Sequence, residues 1–266
     1  MFRTSNPVLR DDTFAGQRWG GIMNDLQRHE SGGAAAALPG TMTIRGTAIK
    51  TGILVGLCSI VAVLTYSAVD AGKVNALIPV AGGGLGALVI ALVLAFWNKG
   101  APFLSPIYAV LKGAFLGAIT LLIAKQFGPK GEAIIGPAIG LTLGIAFSLA
   151  IAYAFGLIRI GSTMAKVIVV ATSGLCLFYL AQFILSMFHI PFLMQVHQAG
   201  PIGIGFSLFV IVLAAFNLVM TFQAADEGVR SGAPKYMEWY MGFAILVELA
   251  WLYLEILKLL DKLRRS

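Results

Sequence analysis

Carboxylates interrupt the last apolar stretch of the chain, Tyr236 to Leu263, with Glu238 near its start, Glu248 in its middle and Glu255 further on. At ~1.5 Å of rise per residue the stretch is long enough to cross a hydrocarbon core of ~30 Å. Glu248 and Glu255 are seven residues apart, so they share nearly one helical face. A carboxylate in a membrane interior costs a few kcal/mol at least, so it belongs against protein or beside a wet path, where it can hold a cation or exchange a proton. One other charge lies inside an apolar block, Lys112. From the block starts at Phe103 and Tyr236, Lys112 is ~14 Å deep and Glu248 ~18 Å. These depths match within the reach of a lysine, and each charge alone would be costly, so an interhelical Lys112–Glu248 ion pair is expected. Such a bridge is either a packing element or a latch across an ion path, opened when Glu248 takes up a proton or a cation. Glu255, with Lys258 and Lys262 at helical spacing, reads as a solvated rim residue or as part of the path. Asp226 and Glu227 close the sixth block beside Arg230 and Lys235. Acids at a bundle mouth attract cations, and they also simply terminate helices at membrane surfaces.

Other chemistries find little support. His29, His189 and His197 are scattered, and no hydrolase, metalloprotease or Cys/His ligand pattern occurs. An enzyme is not expected, nor a cofactor or a bound metal. Cys58 and Cys176 fall inside apolar blocks and read as small hydrophobes. The glycine run from Gly82 to Gly86 lacks a preceding strand and the terminal Lys-Ser/Thr of a phosphate loop, so helix packing accounts for it better. No basic, aromatic-interleaved patch points to nucleic acid.

The elements that must position these charges are membrane helices. The chain of 266 residues is 58% hydrophobic and 12% charged, with a net charge of +7. Its mean hydropathy is +0.87. The apolar residues come in blocks of about twenty, which is the pattern of a helical membrane protein rather than a β-barrel. Seven blocks are expected, at about 47–69, 75–97, 103–125, 133–158, 166–188, 202–224 and 236–263. The reading is therefore an all-α membrane protein with the domain over 46–266, preceded by a polar extension and linker over 1–45. In that extension Trp19, Ile22, Met23 and Leu26 have the spacing of a short surface helix, and a loosely ordered tail fits equally well. The larger share of loop Lys and Arg lies on the side of the N-terminus, which places that end in the cytoplasm, although the basic C-terminus then falls on the opposite side. Small residues four apart, Gly82/Gly86, Gly113/Gly117 and Gly136/Gly140/Gly144, mark expected close helix contacts.

Several stretches together resemble the Bax inhibitor family of membrane proteins, in particular its bacterial branch. They are TSNPVLR from Thr4, MTIRGTAIKTG from Met42, LAFW from Leu94, YAVLKGAFLGAIT from Tyr108, EGVRSGAPKYMEWY from Glu227 and WLYLEILKLL from Trp251. The resemblance implies seven transmembrane helices, six wrapped around a central C-terminal one, in the bacterial inner membrane. It implies a pH-dependent leak of cations, calcium foremost, sensed by carboxylates on the sixth and seventh helices. It also implies a basic residue at the end of the second helix that locks one of them, which here is Lys99. The sixth-helix acid falls near Thr221 or Gln223, both uncharged, with Asp226 the nearest acid. On the seventh, the basic end favours Glu248 and the string LYLE favours Glu255. Relatives generally have Glu where Lys112 stands, and this departure favours the Lys112–Glu248 latch. The competing reading is a non-conducting regulator that binds a membrane partner, such as a protease, as a bacterial relative does.

Overall fold

The computed structural model describes residues 40–126, 128–188 and 198–265. The amphipathic pattern around Trp19, the TSNPVLR stretch and all three histidines lie outside the described residues. Among the described residues seven α-helices follow one another: α1 (Ile44–Asp70), α2 (Leu77–Phe96), α3 (Ala101–Lys125), α4 (Ile135–Ala154), α5 (Ser162–Met187), α6 (Pro201–Arg230) and α7 (Met237–Arg265). Single 3-10 turns, Asn98–Gly100 and Gly128–Ile134, precede α3 and α4. The expected blocks are all present. The fourth ends early, at Ala154, because Gly156 adopts φ 70° and turns the chain.

Six helices, α1 to α6, are long and apolar enough to cross a membrane, with α3 extended by its 3-10 turn and α4 likewise. Helix α7 is not among these six, and its position differs from theirs. It packs against α1, α3, α4 and α6, while α2 lies on α3 and α5 on α6. Large apolar side chains such as Ile60, Leu64, Leu88, Phe147 and Val170 stay exposed on the outer helices. A bilayer covers that surface, so the chain is a multi-pass membrane protein. The polar helix sits inside an apolar wall, the reverse of a soluble bundle.

Backbone proximity holds the wall together. A Cβ on Gly113 would overlap the Cys58 carbonyl, and one on Gly117 the Ala62 carbonyl, so α1 and α3 meet where the sequence predicts. On α2 the expected Gly86 does approach α3, its would-be Cβ 3.0 Å from Leu111 Cδ1, and the closest residue is Gly83, 2.7 Å from the Leu111 oxygen, whereas Gly82 meets nothing. Gly136, Gly140 and Gly144 also face open space, so the expected contact on α4 is not made. Gly117→Val should therefore destabilise the detergent-solubilised protein by about 1–3 kcal/mol, as overpacking does. Gly140→Val should leave the thermal midpoint near wild type, and thermal melts of both variants check the contrast.

Candidate functional site

The acids of α7 are treated differently along its length. At the near end of the bundle, where α1, α3, α5 and α7 begin, Glu238 is buried with 1% exposure. Its Oε1 accepts the Thr43 backbone N–H at 3.1 Å and the Thr43 hydroxyl at 2.9 Å. Lys235 Nζ lies 3.7 Å away. Thr43 is also the N-cap of α1, accepting the Gly46 N–H at 2.9 Å. A side chain at Gly46 would collide with the Glu238 carboxylate. Next to this, the Met42 N–H donates to the Ala233 carbonyl at 2.7 Å, and Thr41 pairs with Pro234. The MTIRG and EGVRSGAPKYMEWY stretches are thus two halves of one clasp that joins the start of α1 to the α6–α7 turn.

Further along α7, residues seven apart form a stripe: Met241, Glu248, Glu255 and Lys262. Met241 packs in one cluster with Ala225 of α6. At the far end, Lys262 is buried with 4% exposure and donates to the Ser207 hydroxyl at 2.8 Å and the Gly203 carbonyl at 2.9 Å, both on α6. Glu255, only 2% exposed, takes Lys258 Nζ at 2.9 Å and a hydrogen bond from the Tyr179 hydroxyl of α5. Lys258 also lies over the Tyr179 ring, 5.5 Å from its centroid. Glu255 is therefore no solvated rim residue: the stripe turns it towards α5 and α6 instead of outward.

Glu248 sits in the middle of this stripe, and its Oε2 is buried with no hydrogen-bond partner. The expected ion pair with Lys112 is not made. Lys112 lies over the Phe115 ring instead, 5.2 Å from its centroid. The cause is azimuth, not depth. Helix α7 meets α3 through the Trp239 carbonyl, bonded by Ser105 at 3.3 Å, through Phe243, edge-on to Tyr108 at 4.8 Å, and through Tyr253, bonded to Thr120 at 3.0 Å. Leu246 and Ala250 pack in the same cluster as Tyr108 and Leu116. Glu248 is two residues from each, which turns it about 160° away from α3. The α6–α7 register, fixed at Ala225–Met241 and Ser207–Lys262, brings Leu218 level with Glu248. The polar neighbours of Leu218 are already committed. Asn217 donates to Thr172 at 2.8 Å and to the Leu213 carbonyl at 2.9 Å, and Thr221 donates to the Asn217 carbonyl at 3.1 Å.

The remaining expected residues lie elsewhere. Asp226 is held by Arg230 at 2.9 Å and by the Tyr153 hydroxyl at 3.2 Å. Lys99 is exposed on its 3-10 turn and makes no ion pair among the described residues. None of Glu248, Lys112, Glu255, Asp226 and Lys99 bonds another of the five. Asp226, Arg230, Tyr153 and Arg159 line the mouth of a cavity of about 700 Å³ between α1, α4, α6 and α7.

The sequence profile of the Bax inhibitor 1 like family matches residues 6–265. The chain belongs to that family. No curated protein and no solved structure matches it. Within this Bax inhibitor 1 like chain, the two sixth-helix places where an acid is expected hold residues used for packing. Gln223 brackets the Ile160 backbone, accepting its N–H and donating to its carbonyl, each at 3.2 Å. Sequence reasoning placed Glu238 at the helix start without a partner and put Lys262 in the outer loop. Their signals were a threonine three residues before a glycine at the entry to α1, and the spacing of seven between Glu255 and Lys262.

Removing the Glu238 carboxylate leaves two buried donors of Thr43 unsatisfied, a loss of about 1–3 kcal/mol. Glu238→Ala should lower the thermal midpoint clearly, whereas Glu238→Gln, which keeps an acceptor oxygen, should recover most of it. Equal losses in the two variants would show that the carboxylate's hydrogen bonds do not hold the clasp.

Proposed function

We propose that this protein is a pH-sensitive cation leak of the bacterial inner membrane, with calcium the main permeant ion and Glu248 the residue that senses protons. It performs no enzymatic reaction in this reading, and its N-terminus is cytoplasmic. The single observation carrying the reading is the Glu248 Oε2, buried without a hydrogen-bond partner among the described residues. The donors of Asn217 and Thr221 are engaged elsewhere, but their oxygens can still accept. A protonated Glu248 gains a hydrogen bond there that the carboxylate cannot make, so proton uptake draws α6 and α7 together and proton loss loosens them. The charge on Glu248 is what admits a cation to the seam, while Asp226 at the cavity mouth is neutralised by Arg230 and takes no part in the gate. Glu255, tied to Lys258 and Tyr179, anchors the far end of the seam. Lys112 and Lys99 leave the gate, because neither reaches a carboxylate.

Calcium flux from purified protein in liposomes tests this directly. Wild-type flux should rise severalfold from acidic to mildly alkaline pH, because proton loss loosens the seam. Glu248→Gln should flatten that profile, and Lys112→Gln should preserve it. A profile unchanged in Glu248→Gln removes Glu248 from the gate. No flux from the wild type at any pH would instead favour a non-conducting regulator of a membrane partner.

A further inference from the structure

The cavity whose mouth holds Tyr153, Arg159, Asp226 and Arg230 has a use that the leak does not require. Beyond its mouth the walls are apolar: Val55, Leu143, Phe147 and Leu249 among them. It continues into a second cavity of about 250 Å³, with Val55, Leu143 and Leu249 lining both. Both lie between α1 and α4, helices that are not packed on each other, so the pair forms one groove along the bundle. Helix α1 contributes Ile44 at one extreme and Val63 at the other. That run is ~28 Å at 1.5 Å per residue, enough to take a chain from one membrane face past the midplane.

The dimensions decide what kind of molecule fits. A helix with side chains is ~10–12 Å across, so the larger cavity would hold little more than one turn of it. A thin, flexible hydrocarbon chain fits its length and its lining. The mouth decides the head. Asp226 is neutralised there by Arg230, 2.9 Å away, and accepts the Tyr153 hydroxyl. Among the described residues Arg159 has no carboxylate partner, so the mouth carries a net positive charge and a guanidinium suited to phosphate.

We propose that this groove is a binding site for one anionic phospholipid, its phosphate on Arg159 and Arg230 and one acyl chain lying between α1 and α4. The lipid enters sideways from the leaflet at the near end of the bundle, since no helix contact closes the α1–α4 side. A bound chain completes the wall around α7 that the separated helices leave open, and it keeps water out of that side of the bundle.

Native mass spectrometry of the full chain, released from nanodiscs of equal phosphatidylglycerol and phosphatidylcholine, provides the test. The wild type should retain one phosphatidylglycerol in preference to phosphatidylcholine. Arg159→Gln should cut that preference about fivefold, the effect of losing one basic contact near a membrane surface. Gly52→Phe projects into the groove from a position where a Cβ meets nothing, so the fold should tolerate it. It should abolish retention of either lipid. Retention by Gly52→Phe equal to wild type, or an unchanged preference in Arg159→Gln, would overturn the proposal. Retention of phosphate without acyl chains, or of a peptide in place of lipid, would overturn it too.

Discussion

A carboxylate removed from water must be given donors, and α7 carries Glu238, Glu248 and Glu255 through an apolar bundle. That demand organises the structure. Glu238 is met by the backbone and hydroxyl of Thr43, which in turn cap α1. Glu255 is met by Lys258 and Tyr179, with Lys262 seated one turn of the stripe further on against α6. The two ends of the central helix are thereby fixed to different neighbours: α1 at the near end, α5 and α6 at the far end. In the middle, the Glu248 Oε2 has no hydrogen-bond partner among the described residues. A helix pinned at both ends and unsatisfied at its centre is the arrangement on which the proposed proton sensing rests.

The fold was legible from the chain because its main signals are local. Seven blocks of apolar residues and short connections specify the helices, and Gly113 and Gly117 specify a contact that the α1–α3 pair makes. The failures were of rotation. Lys112 and Glu248 were paired on depth, which rise per residue gives directly. Their directions depend on which face of α7 meets α3, and that is set by Phe243, Leu246, Ala250 and Tyr253 together. The same shortfall left Glu255 open between a solvated rim and the interior, when the spacing of seven places it with Lys262 on the α6 side. Gly136, Gly140 and Gly144 failed for a related reason: a small-residue stripe permits a close approach but does not supply the helix to make it. Where α4 stands away from α1, a groove remains.

The resembling stretches gain a physical meaning from the coordinates. Met42 to Gly46 and Glu227 to Glu238 are far apart in the chain, yet they interlock through a backbone hydrogen bond, a β-bridge and a buried carboxylate. A glycine at position 46 is required because the carboxylate occupies the space a side chain would need. Such a clasp holds the near ends of α1, α6 and α7 in register, which in turn sets the mouth formed by Asp226, Arg230 and Tyr153. Stability at that end and chemistry in the middle of the seam are thus carried by different acids of the same helix.

The claim that binds these observations is that protonation of Glu248, whose Oε2 is buried without a partner among the described residues, sets the packing of the seam. Infrared difference spectroscopy of the protein in lipid, recorded on stepping the pH and with isotope-labelled glutamate, reads carboxyl protonation at single residues when combined with substitutions. The account predicts one protonated-carboxyl band that appears as pH falls, is lost in Glu248→Gln and survives in Glu255→Gln. A band that persists in Glu248→Gln and vanishes in Glu255→Gln would contradict it.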